Sequence, residues 1–240
     1  MKTQLIYLDD SYQKEMDAQI LEVEADGDKR YKLILDKTVF YPMGGGQPTD
    51  QGMLTSPTCQ AEVYQVIHKD GEVWHFVNCE TAPVVGDTVH GVINWDRRYK
   101  NMRYHSDGHI IDFALYLLGY SPEKLSPQKA DHGKKPFIVY QGTLDGDIKE
   151  ELQNKVNELI ARDLKFSWLF QPYQDLQKEA IYLQPNLPTN KPLRTLRLET
   201  VGAVADGGTQ IHATSEAGQV IVENITTEAD TTIINYSLPE

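Results

Sequence analysis

Cysteine is nearly absent: Cys59 and Cys79 are the only two in 240 residues. Both lie in short strand-like surroundings away from any glycine-rich stretch. Packed thiols, rather than a disulfide framework, are the expectation. No apolar run approaches the roughly 20 residues that cross a bilayer. The start of the chain, residues 1–10, has too short an apolar core for a signal peptide, so the expectation is a cytoplasmic protein with no membrane partner. Positive charge is scarce as well. Lys and Arg number 23 against 35 Asp and Glu, for a formal net charge of −12, and neither cation occurs after Arg197. That balance excludes gripping nucleic acid by bulk electrostatics and leaves only local patches. Arg97, Arg98, Lys100 and Arg103, then Lys134 and Lys135, then Lys191, Arg194 and Arg197 read either as such patches or as solvated counter-charges. Also missing are a Gly-Lys-Ser/Thr phosphate loop, a nucleophile elbow and an ATP signature.

What is present is a change of period. Residues 19–24, 31–35, 62–67, 72–77 and 88–93 alternate or run apolar over strand-length windows. Asp26-Gly27-Asp28 and Lys69-Asp70-Gly71 separate pairs of them as hairpin turns do. A small antiparallel barrel or curled sheet closes such a set. From Asn94 the sequence turns helical, with Met102, His105, His109, Ile110, Phe113 and Leu117 near one face, until Gly119 and Pro122 stop it. Strands at 136–140, 165–170, 193–198, 219–223 and 231–236 and a helix over 148–164 follow, with Leu152, Val156, Leu159 and Ile160 inward. Pro172 opens a short helix that reaches Ala180. The expected class is α+β: a barrel-like antiparallel domain over 1–93, then helices covering a mostly antiparallel sheet over 94–240.

Three stretches carry chemistry. His105-Ser106-Asp107-Gly108-His109 sets two imidazoles four residues apart on one helix face, the spacing a single metal ion needs. Gly108 costs about 1 kcal/mol relative to Ala inside a helix, which suggests a close approach there. Asp206-Gly207-Gly208-Thr209-Gln210-Ile211-His212 offers Asp206, Gln210 and His212 as partners, or a tight turn between strands. Two imidazoles and a carboxylate leave an open position for water, as catalytic zinc requires; alternatively, His212 completes a three-histidine site. A neutral amide such as Gln210 is a poor zinc ligand. Thr38 to Pro48, with Gly44, Gly45, Gly46 and Gln47, makes either a turn or a backbone platform, Thr38 and Gln47 hydrogen-bonding a small polar group.

In this order the stretches resemble the freestanding alanyl-tRNA editing proteins, relatives of the editing domain of alanyl-tRNA synthetase. Residues 38–52, TVFYPMGGGQPTDQG, carry the most specific likeness; His105 and His109 match an HxxxH motif; residues 206–210 fall on a Cys-Gly-Gly-Thr-His segment that Thr214-Ser215-Glu216 continues. The likeness covers nearly the whole chain. It implies a zinc-dependent hydrolase that acts in trans on the aminoacyl ester of tRNA(Ala) mischarged with serine or glycine, with the tRNA acceptor end as partner. By family position His105, His109, Asp206 and Gln210 bind the metal, and Thr38 faces the wrong amino acid. The glycine loop with Gln47 shapes the pocket, Gly207, Gly208 and Thr209 also bind substrate, and His105, His109 and Gln47 are the expected catalytic residues. This sequence departs from the pattern at Asp206 for Cys, Gln210 for His, and Ser106-Asp107-Gly108 for Thr-Ala-Thr. Three arrangements stay open: a hard-ligand site of His105, His109 and Asp206 for Zn²⁺ or another divalent ion, a rearranged site recruiting His212, or no metal. The rival functions are a metal-free homologue that binds tRNA or an aminoacyl ester without turnover, and a metal-dependent hydrolase of another small acyl ester.

Overall fold

The structure is a computed structural model that describes residues 3–239. It is α+β and divides into two compact units, Met1–Asn101 and Met102–Glu240.

The first unit is built on strands β1 (Gln4–Leu5), β2 (Glu15–Ala25), β3 (Arg30–Leu35), β4 (Lys37–Thr38), β5 (Gly52–Thr55), β6 (Gln60–Lys69), β7 (Glu72–Cys79) and β8 (Thr88–Ile93). Six of them close a barrel in the order β2-β3-β7-β6-β5-β8, every pairing antiparallel. Alternation explains the closure. Met16, Ala18 and Ile20 of β2, Val73 and Val77 of β7, and Val89 and Ile93 of β8 point into one core with Leu35, Val39 and Phe40. The free thiols of Cys59 and Cys79 pack into the same core. Strand β5 was not legible in the sequence: four residues beginning with glycine carry too little pattern. Its Gly52 is needed for space, since a Cβ there would lie 2.1 Å from the Val92 carbonyl oxygen.

The Gly44–Gln47 segment is a tight turn. Gly44 and Gln47 exchange backbone hydrogen bonds of 3.3 and 2.9 Å, and Gly45 and Gly46 between them hold φ values of +54° and +81°. Positive φ at both central positions is what this turn demands and what glycine supplies freely. Beyond the turn, Asp50 receives the Tyr41 amide at 2.7 Å and pairs with Arg98 of helix α1 (Trp95–Leu117), both side chains fully buried.

Thr38 is buried, and its hydroxyl is committed. Its Oγ1 lies 2.8 Å from His75 Nε2 and accepts the Phe40 amide at 3.0 Å, while His75 Nδ1 faces the Leu33 carbonyl at 3.3 Å. With Nδ1 donating to Leu33, Nε2 accepts and Thr38 donates. Burial pushes His75 down to about 4, against the Leu33 carbonyl that raises it. The unfolded chain therefore binds this proton more tightly than the folded one. Stability from the neutral ring is full above pH about 6.5 and is lost as pH falls towards 4, in total about 3 kcal/mol. Urea unfolding at pH 7 and pH 4.5 is expected to show a stability loss in the parent protein that His75→Gln reduces by most of that amount.

The second unit continues α1 and adds β9 (Ser126–Asp131), β10 (Phe137–Gln141), α2 (Lys149–Ala161), β11 (Phe166–Gln171), α3 (Tyr173–Leu176), β12 (Leu193–Leu198), β13 (Gly202–Ala205), β14 (Ile221–Glu228) and β15 (Thr231–Ser237). They form two antiparallel sheets, β14-β15-β10-β9 and β11-β12-β13, with α2 against β14. Leu152, Val156 and Leu159 of α2 are buried as their spacing predicts. Helix α1 departs from a one-faced pattern. Residues 104–115 are buried on every side, whereas Leu117, expected inward, is 41% exposed at the helix end. The helix from Pro172 is shorter than expected, ending at Leu176. No helix among the described residues is long and apolar enough to cross a membrane.

Candidate metal centre

The centre begins with helix geometry. One turn of α1 stacks the rings of His105 and His109 at 5.1 Å and 23°. Asp206 reaches them from the end of the β12–β13 hairpin, whose register pairs Thr195 with Ala205 and so sets Asp206 opposite Arg194. The Asp206 carboxylate Oδ1 lies 3.2 Å from His105 Nε2 and 3.5 Å from His109 Nε2. Its Oδ2 accepts the Gly208 amide at 3.0 Å and the Gln210 amide nitrogen at 2.9 Å, and pairs with Arg194 Nη1 at 3.3 Å. One oxygen is thus tied to the protein frame while the other faces the imidazoles.

Each ring has a reason to point where it does. His109 turns Nδ1 towards Asp112 at 3.7 Å, and Asp112 is itself held by the hydroxyls of Tyr140 at 2.6 Å and Tyr182 at 3.0 Å. Neither His109 ring nitrogen has a hydrogen-bond partner among the described residues, although both are buried. Burial opposes a charge on His109, but Asp112 and Asp206 outweigh it and raise the ring to about 9. For Asp206 burial acts upward and the two imidazoles more strongly downward, leaving it well below the usual carboxylate range. Burial lowers His105.

The structure brings His105, His109 and Asp206 together, with donor atoms all within 4.8 Å of one another. In a tetrahedral zinc site, bonds of about 2.0–2.1 Å put neighbouring donors roughly 3.4 Å apart, so the 3.2 and 3.5 Å separations from Asp206 Oδ1 fit a divalent cation. Gln210 is adjacent but presents the wrong end. A carboxylate only accepts, so the amide nitrogen faces Asp206, and Oε1 takes the Ser106 hydroxyl at 2.6 Å. His212 is elsewhere, exposed and stacked on Trp168 at 5.9 Å. Thr209 is buried beside Gln210 in the sequence, and Gln47 is buried in the first unit.

Two glycines that look alike in sequence differ here. A Cβ on Gly208 would stand 2.0 Å from His105 Cε1 and 2.3 Å from Nδ1, whereas one on Gly207 meets nothing within 4 Å. Gly208→Ala is expected to drive the His105 ring off Asp206 at a cost of about 1–3 kcal/mol, while Gly207→Ala leaves both unchanged. The His105 ring proton resonances, followed by NMR in the two variants, check this.

Residues that the sequence does not tie to this centre complete the surroundings. His132, in the loop after β9, stacks on His105 at 4.6 Å and 17°. Arg194 spans Asp206 and the Gly208 carbonyl, the latter at 2.9 Å. Asp107 is fully buried, and neither carboxyl oxygen has a hydrogen-bond partner among the described residues; burial raises it well above the ordinary value. Four of the cations read from the sequence are engaged by the protein itself: Arg98 on Asp50, Arg103 on the Ala217 carbonyl, Arg194 on Asp206 and the partly exposed Arg197 on Glu179. Lys134, Lys135 and Lys191 are exposed.

Residues 3–97 match the family described as tRNA synthetases class II (A). The chain is 31% identical over 220 residues to the alanyl-tRNA editing protein AlaX-L of Pyrococcus horikoshii, covering 90% of this chain and 53% of that protein. With the alanine–tRNA ligase of Halobacterium salinarum, identity is 28% over 230 residues, covering 93% of this chain and 24% of the ligase. The chain therefore spans about half of the first relative and a quarter of the second. Against the alanyl-tRNA editing protein AlaX-M of Saccharolobus solfataricus it is 30% identical over 231 residues, 92% of each. A match over 92% of both chains places this chain in the alanyl-tRNA editing protein family.

Proposed function

We propose that the protein is a trans-editing hydrolase that cleaves the aminoacyl ester of tRNA(Ala) mischarged with serine or glycine. The observation that carries this reading is the buried group of His105, His109 and Asp206, in which His109 keeps both ring nitrogens without a hydrogen-bond partner among the described residues. His105, His109 and Asp206 Oδ1 would hold a divalent cation, Zn²⁺ by ligand chemistry, which when bound polarises an ester carbonyl and lowers the pKa of water. The protein's own contribution is positioning. Asp112 orients His109, the Gly208 amide and Arg194 orient Asp206, and Ser106 keeps the Gln210 carbonyl turned aside. Exposed Lys134 and Lys135 are the cations this reading sets against acceptor-end phosphates.

The experiment is deacylation of seryl-, glycyl- and alanyl-tRNA(Ala) by the purified chain, before and after chelation and zinc return. Release of serine or glycine with alanyl-tRNA(Ala) spared supports the reading; no release from any of them, with or without zinc, overturns it. A second reading, binding of the same tRNA without turnover, is favoured by one observation: Arg194 already neutralises Asp206 from within the protein. Retention of seryl-tRNA(Ala) on the protein with its ester intact would select that reading.

A further inference from the structure

A third imidazole stacks on His105, and its hydrogen bonding fixes which nitrogen carries the lone pair. His132 is 4% exposed. Its Nδ1 lies 2.5 Å from the Tyr236 hydroxyl, and that hydroxyl donates its single proton to the Tyr104 carbonyl at 2.8 Å. The Tyr236 oxygen therefore accepts from Nδ1–H, and the lone pair of the neutral ring sits on Nε2. A histidine whose one nitrogen donates to a fixed oxygen while the other keeps its lone pair is in the form that binds metals.

The chain makes room for this ring at a specific cost. A Cβ on Gly108 would lie 2.5 Å from His132 Cε1, 3.0 Å from Nδ1 and 3.2 Å from the Tyr236 oxygen, so only glycine at that turn of α1 admits the ring. Glycine inside a helix costs about 1 kcal/mol, and the entry of His132 is what the structure shows in return. The three rings then follow one another, His109 on His105 at 5.1 Å and His105 on His132 at 4.6 Å. The donor atoms within 4.8 Å of one another come from His105, His109 and Asp206, with His132 one stacked ring away. Gln210, the other near neighbour, has its oxygen engaged by Ser106.

We propose that His132 is the fourth protein ligand of a divalent cation at this centre, binding through Nε2 and held in place by Tyr236. This rests on the reading of His105, His109 and Asp206 as a cation site. The test uses the full chain, stripped by chelation and titrated with Co²⁺ alone. The expected result is one Co²⁺ per chain with ligand-field absorption. His132→Phe keeps a flat ring but no nitrogen, and is expected to weaken binding by about 100-fold and shift the bands. Gly108→Ala acts in the same direction by crowding the ring out, and Tyr236→Phe weakens binding by about 10-fold. Independently of any variant's folding, pulsed EPR of the parent protein loaded with Cu²⁺ counts coordinated imidazoles, three by this proposal. Two imidazoles, or Co²⁺ binding by a folded His132→Phe with parent affinity and spectrum, overturns the proposal alone. No Co²⁺ uptake by the parent protein overturns it together with the cation reading on which it rests.

Discussion

Replacing Arg98 by methionine is expected to lower the unfolding free energy by about 3–5 kcal/mol. Arg98 and Asp50 are both fully buried. The guanidinium makes further bonds that a hydrophobic isostere cannot replace: Nη1 donates to the Ser11 carbonyl at 2.9 Å and Nη2 to the Val39 carbonyl at 2.5 Å. Methionine fills much of the volume, so the loss is electrostatic rather than a cavity. It strands the Asp50 carboxylate, whose remaining bond from the Tyr41 amide holds the chain on either side of the glycine turn. The double variant Arg98→Met with Asp50→Leu is expected to recover part of the loss, because no buried charge is left without a counter-charge, yet to stay below the parent since three carbonyl and amide partners lose their bonds. Urea titrations of the parent, both single variants and the double variant measure this directly. Additive single losses in the double variant would mean that the pair is not coupled.

The same residue shows what one chain of letters conceals. Arg98 reads as one member of a surface cationic patch, and only the fold reveals Asp50 opposite it, 48 positions earlier in the chain. The long barrel strands were legible because half-buried strands impose a period of two, and His105 with His109 because a helix imposes a spacing of four. Elements without such a period were not. Strand β9 is polar and contains Pro127, and β13 consists of Gly202, Ala203, Val204 and Ala205, small residues that carry no pattern. His132 lies between Asp131 and Gly133 in a polar loop, so nothing local marks it; its role depends on Tyr236, which is 104 positions away. Arg194 reads only as one of a group of cations: the β12–β13 hairpin puts it across from Asp206, and β13 carries no pattern from which that register could be read. Thr38 reads as a recognition hydroxyl, whereas in the fold that hydroxyl already serves His75 and Phe40.

Asp206 carries the second large expected effect, and two substitutions separate its parts. Asp206→Ala removes the carboxylate that pairs with Arg194, whose side chain is 4% exposed, and takes one acceptor from the Gly208 amide and the Gln210 nitrogen. Removing one partner of a buried ion pair costs about 3–5 kcal/mol, so, on the proposed function, this variant is expected to lose stability and hydrolysis together. Asp206→Asn is the sharper probe. Its carbonyl oxygen can still accept from Gly208 and Arg194, which limits the stability cost to about 1–2 kcal/mol. Its amide nitrogen, however, faces His105 and His109, where Oδ1 stood, and a neutral donor there supplies neither the negative charge nor the lone pair that a divalent cation takes from a carboxylate. If the proposed function holds, removing several kcal/mol of transition-state stabilisation amounts to a fall of about 1,000-fold in deacylation of seryl-tRNA(Ala). A folded Asp206→Asn protein that retains parent activity would move the chemistry away from this carboxylate. A folded, inactive one that has also lost cation uptake would tie hydrolysis to the oxygen that faces the two histidines.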